Sequence, residues 1–249
     1  MSGKRVCIIG GGASGLLTLR HLYGQVEVVD LYDALDDVGG QWYFTPVTES
    51  NCPPGNHFLE KFGYLPNSIQ KDLITNVPSL GMTFMDFPLI PEKRSFMKMD
   101  EFHRYIKKFT DYHNLWPYIK LSHIVLKVCF NQASKTFKVE ILNCKTSEVF
   151  IRYYDYVVVA NGKFSKPFIP DIPGKFNGEI IHSHAIRSFT PDLCKDKRIV
   201  LVGLSDSGMD MLEYLLSQYG TIRSLIIVSD HRFPSSSAYI QSLMERGVF

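Results

Sequence analysis

A glycine-rich segment near the N-terminus has the residue types and spacing that bind the diphosphate of a dinucleotide. Residues 10–15, GGGASG, satisfy the pattern G-x-G-x-x-G. The first glycine of this pattern makes a tight turn, the second lets the backbone approach a pyrophosphate, and the third lets a helix pack against a strand. The N-terminus of that helix faces the phosphates. We therefore predict that Gly10, Gly12, Ser14 and Gly15 bind a dinucleotide.

A ribose-binding acid is expected about 20 residues after such a loop. Asp33 fits, because it directly follows a predicted strand over 26–32. Asp30 is the rival, but it lies inside that strand, and we interpret it as an outward polar position. A glycine-rich turn without a ligand is the competing interpretation, and the strand, helix and acid around the loop favour the dinucleotide.

A second loop of the same kind lies at residues 203–208, GLSDSG. It recurs within a second strand–turn–helix–strand unit, and two such units predict two nucleotide sites. Gly203, Ser205, Ser207 and Gly208 would form the second site. Ser205 replaces the middle glycine, so its side chain takes space where the backbone should approach a phosphate. The next residue is an aspartate, and its carboxylate repels a pyrophosphate unless it points away.

The residues after the last predicted strand bear on whether the second nucleotide carries a ribose 2′-phosphate or a free 2′-hydroxyl. Arg232 is the candidate cation for a ribose 2′-phosphate. Asp230 would instead suit a free 2′-hydroxyl. A solvated turn is the third interpretation of this segment, and the sequence leaves all three open.

Hydrophobic periodicity and turn residues predict the elements that position these loops. An amphipathic helix is capped by Asp100 and places Phe102, Ile106, Phe109 and His113 on one face. Residues 43–98 are predicted to be irregular with short helices, and 161–191 to be a connection rich in Pro and Gly. The remaining predictions are strands at 6–9, 26–32, 156–160, 198–202 and 225–228, a three-stranded meander at 119–129, 136–142 and 147–152, and helices to about residue 23 and over 209–219. The strand at 156–160 is expected to be fully buried.

Composition excludes several other classes of protein. The chain has 249 residues, 45% of them hydrophobic, with a formal net charge of +2, which argues against a nucleic-acid-binding tract. Its five cysteines show neither CxxC nor metal-ligand spacing, which argues against a metal site and suits a reducing, cytoplasmic location. No stretch reaches the roughly 18 apolar residues of a membrane anchor, and the glycines after Lys4 and Arg5 argue against a signal peptide.

Four further segments make the chain recognisable. Residues 36–42 read DDVGGQW, residues 73–78 read LITNVP before an F-x-D-x-P stretch, and residues 157–162 read VVVANG. Residues 176–182, FNGEIIH, fit F-x-G-x-x-x-H. In this order the segments resemble the flavin-containing monooxygenases, from Lys4 to about Val228. The chain departs from that pattern at Ile186, where an aromatic is normal, whereas Arg187 keeps the usual basic residue.

The resemblance implies a fold, two cofactors and their binding residues. The expected fold is α/β with two Rossmann-like units: an FAD domain with a β-meander over 1–175 and a partial NADP domain over 176–249. Gly40, Gln41 and Trp42 would lie beside the flavin, and the backbone of Val125 would meet the FAD adenine. His182 is interpreted as a linker residue between the nucleotide domains rather than a proton-transfer group.

The reaction implied by the resemblance is oxygenation. NADPH would reduce FAD, O2 would add at the flavin C4a, and the hydroperoxyflavin would transfer oxygen to an amine nitrogen or to sulfur, while the protein positions the cofactor. Asn76 is the predicted active-site residue, because an amide can bond flavin or peroxide oxygen without acting as a strong acid. Its alternative role is to cap a turn before Pro78. Gln70 stands where the family often has Tyr near the flavin.

Members of this family are usually far longer than this chain. We therefore expect a fragment, a truncated isoform or a protein completed by another subunit. An unfinished sheet exposes apolar edges, which favours association into a homo-oligomer or instability. A truncated, non-catalytic FAD-binding protein and an NAD(P)H oxidase are the alternatives to the monooxygenase.

Overall fold

The computed structural model describes residues 3–44, 62, 67–71, 73–87, 96–187 and 190–229. The chain divides into two compact units, Met1–Arg187 and Ser188–Phe249. Residues 176–187 therefore lie with the first unit, whereas the predicted boundary fell after residue 175. The assignment of one nucleotide to each domain stays a prediction.

A four-stranded parallel sheet forms the centre of the first unit. Its strands are β1 (Arg5–Ile9), β2 (Val28–Tyr32), β3 (Ile119–Lys120) and β7 (Tyr156–Val159). They lie in the order β3-β2-β1-β7, and all three pairings are parallel. The middle of β1, residues 6–8, is apolar and buried, as is typical of a parallel sheet covered on both faces.

Helices cover one face of this sheet. Val6 and Ile8 of β1 lie in a core cluster with residues from helices α1 (Ala13–Leu22) and α2 (Met99–Tyr112). The predicted apolar face of α2 is confirmed, since Phe102, Ile106 and Phe109 are buried. Asp100, however, does not cap α2. It lies in the first turn, where it pairs with an arginine one turn later, and the Glu101 carboxylate accepts the N–H of Lys98 at the helix start instead.

An antiparallel meander covers the opposite face. Because successive strand residues point to opposite faces, Cys7 lies in a second cluster with Val139 and Ile141. The meander consists of β4 (His123–Asn131), β5 (Thr136–Asn143) and β6 (Glu148–Tyr154).

A buried hydroxyl pair fastens the meander to the parallel sheet. Tyr154 donates from its hydroxyl to Asp30 Oδ2 at 2.8 Å, and its oxygen lies 2.9 Å from the hydroxyl of Tyr32. Burial raises the pKa of both tyrosines, that of Tyr32 to about 12. Asp30 is therefore not the outward polar residue that we predicted from the alternation of β2.

Two strand predictions were wrong in detail. The predicted strand over 119–129 is split, because Ser122 has a left-handed backbone (φ 57°) that separates β3 from β4. β7 was expected to be fully buried, but Tyr156 and Val159 are 48% and 69% exposed. The reason is that β7 is an edge strand of the sheet within the described residues.

The second unit contains a parallel strand pair, one α-helix and two short 3-10 helices in its described part. The strands and the α-helix are β8 (Arg198–Val202), α3 (Asp206–Ser217) and β9 (Ser224–Val228). The predicted order strand–turn–helix–strand is confirmed. The helix begins at Asp206 rather than at residue 209, so that the second half of the predicted turn is helical.

Across the described ranges, no helix is both long enough and apolar enough to cross a bilayer. The cytoplasmic location and the homo-oligomer expected from the sequence stay predictions.

The hydroxyl pair predicts a specific loss of stability. Replacing Tyr154 with Phe removes the bonds to both Asp30 and Tyr32, and we expect the free energy of unfolding to fall by about 1–3 kcal/mol. Urea denaturation should show a lower midpoint with an unchanged slope. The neighbouring Tyr153 is half-exposed, so Tyr153→Phe should change the free energy by less than about 0.5 kcal/mol. Equal midpoints for the two variants would contradict the fastening role.

Candidate functional site

A cleft of about 440 Å³ opens where β1 and β2 end. Open parallel α/β sheets bind their ligands outside the carboxyl ends of their strands. The lining comes from the first glycine loop, the end of β2, residues 39–42, Phe62, the start of β4, and residues 160–165, which follow β7. Six separate parts of the chain therefore meet at the position where a dinucleotide was predicted.

The glycine loop forms one wall, and its backbone leaves no room for a side chain at Gly10 or Gly15. Gly10 has φ +108°, its N–H donates to the Tyr32 carbonyl at 2.8 Å, and a Cβ on it would collide with the Ala160 carbonyl oxygen. A Cβ on Gly15 would overlap the Gly10 carbonyl oxygen. Gly15 is buried and outside the lining, so it serves the packing of α1 on β1.

The N-terminus of α1 faces the cleft through Gly12, Ala13 and Ser14. Gly12 is the N-cap, and no side chain of the described residues caps this end of the helix. N–H groups that lack an intrahelical partner, together with the helix dipole, attract a phosphate. This end of the helix therefore fits a pyrophosphate.

Asp33 lies in the lining at the end of β2 and is buried. One carboxylate oxygen accepts the N–H of Gly11, and the other accepts the N–H of Leu35 at 2.7 Å. Burial raises the pKa of Asp33 to about 6, although these two bonds favour the charged form. The buried carboxylate connects the glycine loop with the end of β2.

The 3-10 turn Gly40–Trp42 forms a second wall and interlocks with the glycine loop. The Gly39 N–H donates to the Gly11 carbonyl at 2.9 Å. Gly40 has φ +56°, and a Cβ on it would lie 2.9 Å from the Cα of Gly12. The Trp42 ring packs edge-on against Phe102 of α2, with centroids 4.9 Å apart. All three predicted residues, Gly40, Gln41 and Trp42, line the cleft.

The far wall holds Val125, which was predicted, and several residues that the sequence reasoning missed. Tyr32 and His123 face each other with ring centroids 6.0 Å apart. Lys163 supplies a cation, and its ammonium lies 4.8 Å from the ring centroid of Phe164. All of these line the cleft. Residues 160–165 follow the strand that pairs with β1, and this position beside a central strand was the signal that could have identified them.

Asn76 does not reach this cleft lining. It lies exposed in a bend that Thr75 fastens, since the Thr75 hydroxyl donates to the Val77 carbonyl at 2.9 Å and accepts the N–H of Met97 at 3.0 Å. Thr75 rather than Asn76 therefore makes these side-chain bonds of the turn. Gln70 is buried and also lies outside the lining.

The second glycine loop repeats the backbone arrangement of the first. The Gly203 N–H donates to the Val228 carbonyl at 2.8 Å, as Gly10 does to Tyr32. A Cβ on Gly208 would overlap the Gly203 carbonyl oxygen, as at Gly15. Ser205 is the N-cap of α3, with no side-chain cap bond within the described part, and Ser207 lies in the first turn.

The charge of the second loop differs from that of the first. Asp206, exposed at the first position of α3, stands where the first loop has Ala13. Its carboxylate is favourable for the helix dipole but unfavourable for a second anion at the same place. Arg232 and Asp230 lie outside the described residues.

The F-x-G-x-x-x-H segment ends in a short 3-10 turn, Ser183–Ala185. His182 accepts the N–H of His184 through Nδ1 at 3.0 Å. His184 is buried, and burial lowers the pKa of its imidazole. The segment lies just before the division between the two units, and the linker role of His182 stays a prediction.

Comparison with known proteins decides the family. The sequence model of the flavin-binding monooxygenase-like family matches residues 3–222. The chain belongs to this family. The predicted resemblance is thereby confirmed, and the glycine cradle, the uncapped helix end and the buried acid fit a dinucleotide of the flavin type.

Individual relatives cover much of the chain. Senecionine N-oxygenase of Tyria jacobaeae is 28% identical over 92% of it, and the flavin-containing monooxygenase FMO GS-OX-like 9 of Arabidopsis thaliana is 32% identical over 84%. The chain spans about half the length of these relatives, 47% of each. The solved S-allyl-L-cysteine S-oxygenase of Allium sativum superposes with a TM-score of 0.76 at 24% identity, over 96% of this chain and 54% of that one, and shows a shared α/β fold.

The buried acid of this flavin-binding monooxygenase-like chain predicts a pH-dependent stability. Because the pKa of Asp33 is raised to about 6 in the folded state, native protein holds a proton that the unfolded chain releases. Its contribution to stability is therefore present at low pH and is lost as pH rises from about 4 to about 6. The measured quantity is the free energy of unfolding of the flavin-free wild type minus that of an Asp33→Asn variant. We expect this difference to fall by about 1–3 kcal/mol as pH rises over that range.

Urea denaturation at a series of pH values measures this difference. Asp171 is exposed in the connection after β7, so Asp171→Asn gives the baseline for removing one carboxylate. A difference between wild type and Asp33→Asn that stays constant across the series would contradict the raised pKa.

Proposed function

We propose that this chain contains the FAD-binding region of a monooxygenase, together with a section of its NADP-binding region. The monooxygenase would transfer oxygen to an amine nitrogen or to sulfur. The observation that supports this most directly is the interlock of two glycine segments around the cleft beside the buried Asp33. Membership of the flavin-binding monooxygenase-like family supports it independently. Because the chain spans about half of its relatives, the whole protein's activity is part of the proposal.

The cleft residues would hold FAD in an extended form. Gly10, Gly12 and Ser14 would hold the pyrophosphate, and Lys163 would attract it by charge. Asp33 would accept a bond from a ribose hydroxyl, which favours the ionised carboxylate over the protonated form. Gly40, Gln41 and Trp42 would lie beside the flavin, and the backbone of Val125 beside the adenine.

Bound FAD, reduced by a nicotinamide nucleotide, would supply the activation of O2. The protein's own part is to bind and orient the cofactor and to limit the access of water. An N-oxygenase and an S-oxygenase among the similar proteins support a soft nitrogen or sulfur nucleophile as substrate.

NADPH would bind at the second loop, through Gly203, Ser205, Ser207 and Gly208. Arg232, beyond the described residues, remains our candidate for the 2′-phosphate. Asn76 remains our candidate for the active-site amide, and its exposed position leaves it accessible to a ligand.

Spectroscopy and product analysis on the purified full chain test the function. With FAD, NADPH and air, we expect the flavin bands to bleach and to return as O2 is consumed. Dimethylaniline should yield an N-oxide or S-allyl-L-cysteine a sulfoxide, in proportion to the NADPH used. Stoichiometric hydrogen peroxide without either product would indicate an NAD(P)H oxidase instead. Bound FAD without any NADPH oxidation would indicate a non-catalytic flavin protein, and a colourless chain that takes up no FAD would overturn the proposal.

The same assay tests whether Asn76 contributes to oxygen transfer rather than to FAD binding. Replacing it with Ala should lower the yield of oxygenated product per NADPH by about tenfold, while FAD affinity stays unchanged. Asn177, exposed in the connection after β7, provides the control Asn177→Ala. If Asn76→Ala and Asn177→Ala give the same yield of oxygenated product per NADPH, Asn76 is not an active-site residue.

The acid in the second loop predicts a gain of affinity on its removal. In an Asp206→Asn variant the repulsion of the nucleotide phosphates disappears, and the Kd for NADPH should fall by about threefold to tenfold at low salt. Fluorescence titration measures the Kd, and added salt should narrow the difference. Glu213, on the same helix, gives the control Glu213→Gln. An unchanged or higher Kd for Asp206→Asn would place the phosphates away from this residue.

A further inference from the structure

Two residues outside the cleft lining stand directly behind one of its walls. Asn67 is only 2% exposed, and its amide Nδ2 donates to the carbonyls of Gly40 at 3.0 Å and Tyr43 at 2.8 Å. The adjacent Ser68 accepts a bond on its hydroxyl from Gln41 Nε2 at 2.8 Å. These bonds attach residues 40–43 to residues 67 and 68.

The orientation of the Asn67 amide is set by a fork of donors from Arg187. Arg187 Nη1 donates to the Asn67 backbone carbonyl at 2.8 Å, and Nη2 donates to Asn67 Oδ1 at 3.0 Å. Because the guanidinium has only donors, the amide oxygen must face it and the amide nitrogen must face the two carbonyls. A point-like ammonium could not supply both bonds in this fixed geometry.

Arg187 is itself held in place. Its guanidinium carbon lies 5.4 Å from the ring centroid of Phe44, and its carbonyl accepts the N–H of Lys71 at 3.0 Å. Burial lowers the pKa of the guanidinium to about 10, which leaves it charged near neutral pH. The charged fork is therefore present under the conditions in which the cleft would be used.

This arrangement fixes the position of the 3-10 turn at residues 40–42, which lines the cleft. Gly40, whose carbonyl Asn67 holds, approaches Gly12 so closely that a Cβ on Gly40 would come within 2.9 Å of the Gly12 Cα. A continuous set of contacts thus runs from Arg187 through Asn67 and Gly40 to the glycine loop. Preorganised walls increase affinity, because the ligand does not have to order them on binding.

We propose that Asn67 and Arg187 are positioning residues for FAD, which hold residues 40–43 against the glycine loop without touching the cofactor themselves. The inference rests on the proposed function. It adds to that function an affinity determinant in which Asn67, which belongs to none of the motifs that carry the family resemblance, is held by Arg187, the basic residue of the family pattern.

One substitution separates this role from a general contribution to stability. Asn67→Asp keeps the acceptor for Arg187 and adds an ion pair with it. It replaces the amide nitrogen, which donates two bonds, with an oxygen that faces the carbonyl oxygens of Gly40 and Tyr43. Residues 40–43 should therefore lose their attachment to residue 67. We expect the Kd for FAD to rise by about tenfold, which corresponds to about 1.4 kcal/mol, together with an altered visible circular dichroism of the bound flavin.

Two arginine variants complete the test. Arg187→Gln should raise the Kd for FAD about as much as Asn67→Asp does. Arg187→Lys keeps the charge but loses the fork, so its Kd should lie between those of Arg187→Gln and the wild type. Arg187→Lys is the mildest change, so it carries the test if Asn67→Asp does not fold. Controls are Asn131→Asp, whose side chain serves only as an acceptor in an exposed hairpin turn, and Arg104→Gln, which removes an exposed helix ion pair.

The measurement is fluorescence titration of the flavin-free full chain with FAD, beside its urea midpoint. A raised Kd in the three test variants with unchanged controls supports the inference. Wild-type Kd and flavin dichroism in the variants, with or without a lower urea midpoint, would overturn this inference and leave the proposed function standing. A wild-type chain that binds no FAD would overturn both.

Discussion

Close approach between backbone segments is the constraint on which the rest of this structure depends. Gly10 meets the carbonyl of Ala160, Gly15 meets that of Gly10, and Gly40 meets Gly12, so at these points strand, helix and loop lie too close for a side chain. A side chain at any of them would separate the walls. These contacts are possible because glycine has no Cβ at the points where the backbone segments touch.

Two layers on opposite faces of the parallel sheet keep these segments in register. Val6 and Ile8 direct one face of β1 to the helices, and Cys7 directs the other to the meander. The bond of Tyr154 with Asp30 attaches the meander beside the end of β2, and this brings Val125 into the same cleft as Asp33. Asp33 and the part of the cleft wall at Val125 are thus coupled through a buried polar contact, whose loss would leave groups unsatisfied in a low dielectric.

The two glycine loops share a backbone and differ in charge. Each first glycine donates to the end of the next strand, and each last glycine packs on the first. The first loop has Gly12 and Ala13 at the helix start, whereas the second has Ser205 and Asp206. The first loop therefore offers a phosphate an uncharged helix start, whereas the second offers one that carries a carboxylate. The Arg187 fork acts on the first loop through Asn67 and Gly40.

The sequence by itself determined the order of the main elements, the family and part of the cleft. The glycine spacing and the acid after β2 follow from local rules of turn and helix formation, whereas the segment at 40–42 follows from the family resemblance. Gly10, Gly12, Ser14, Asp33 and residues 40–42 all lie in the lining. Tertiary structure decided what local pattern cannot encode. It split the strand at Ser122, gave Asp30 a buried partner from β6, kept Asn76 away from the cleft lining, and brought Arg187 to Asn67 across 120 positions of the chain. The physical reason is that a polar side chain in a strand or loop satisfies its bonds with whichever group the packed layers place beside it, and no periodicity along the chain records that neighbour.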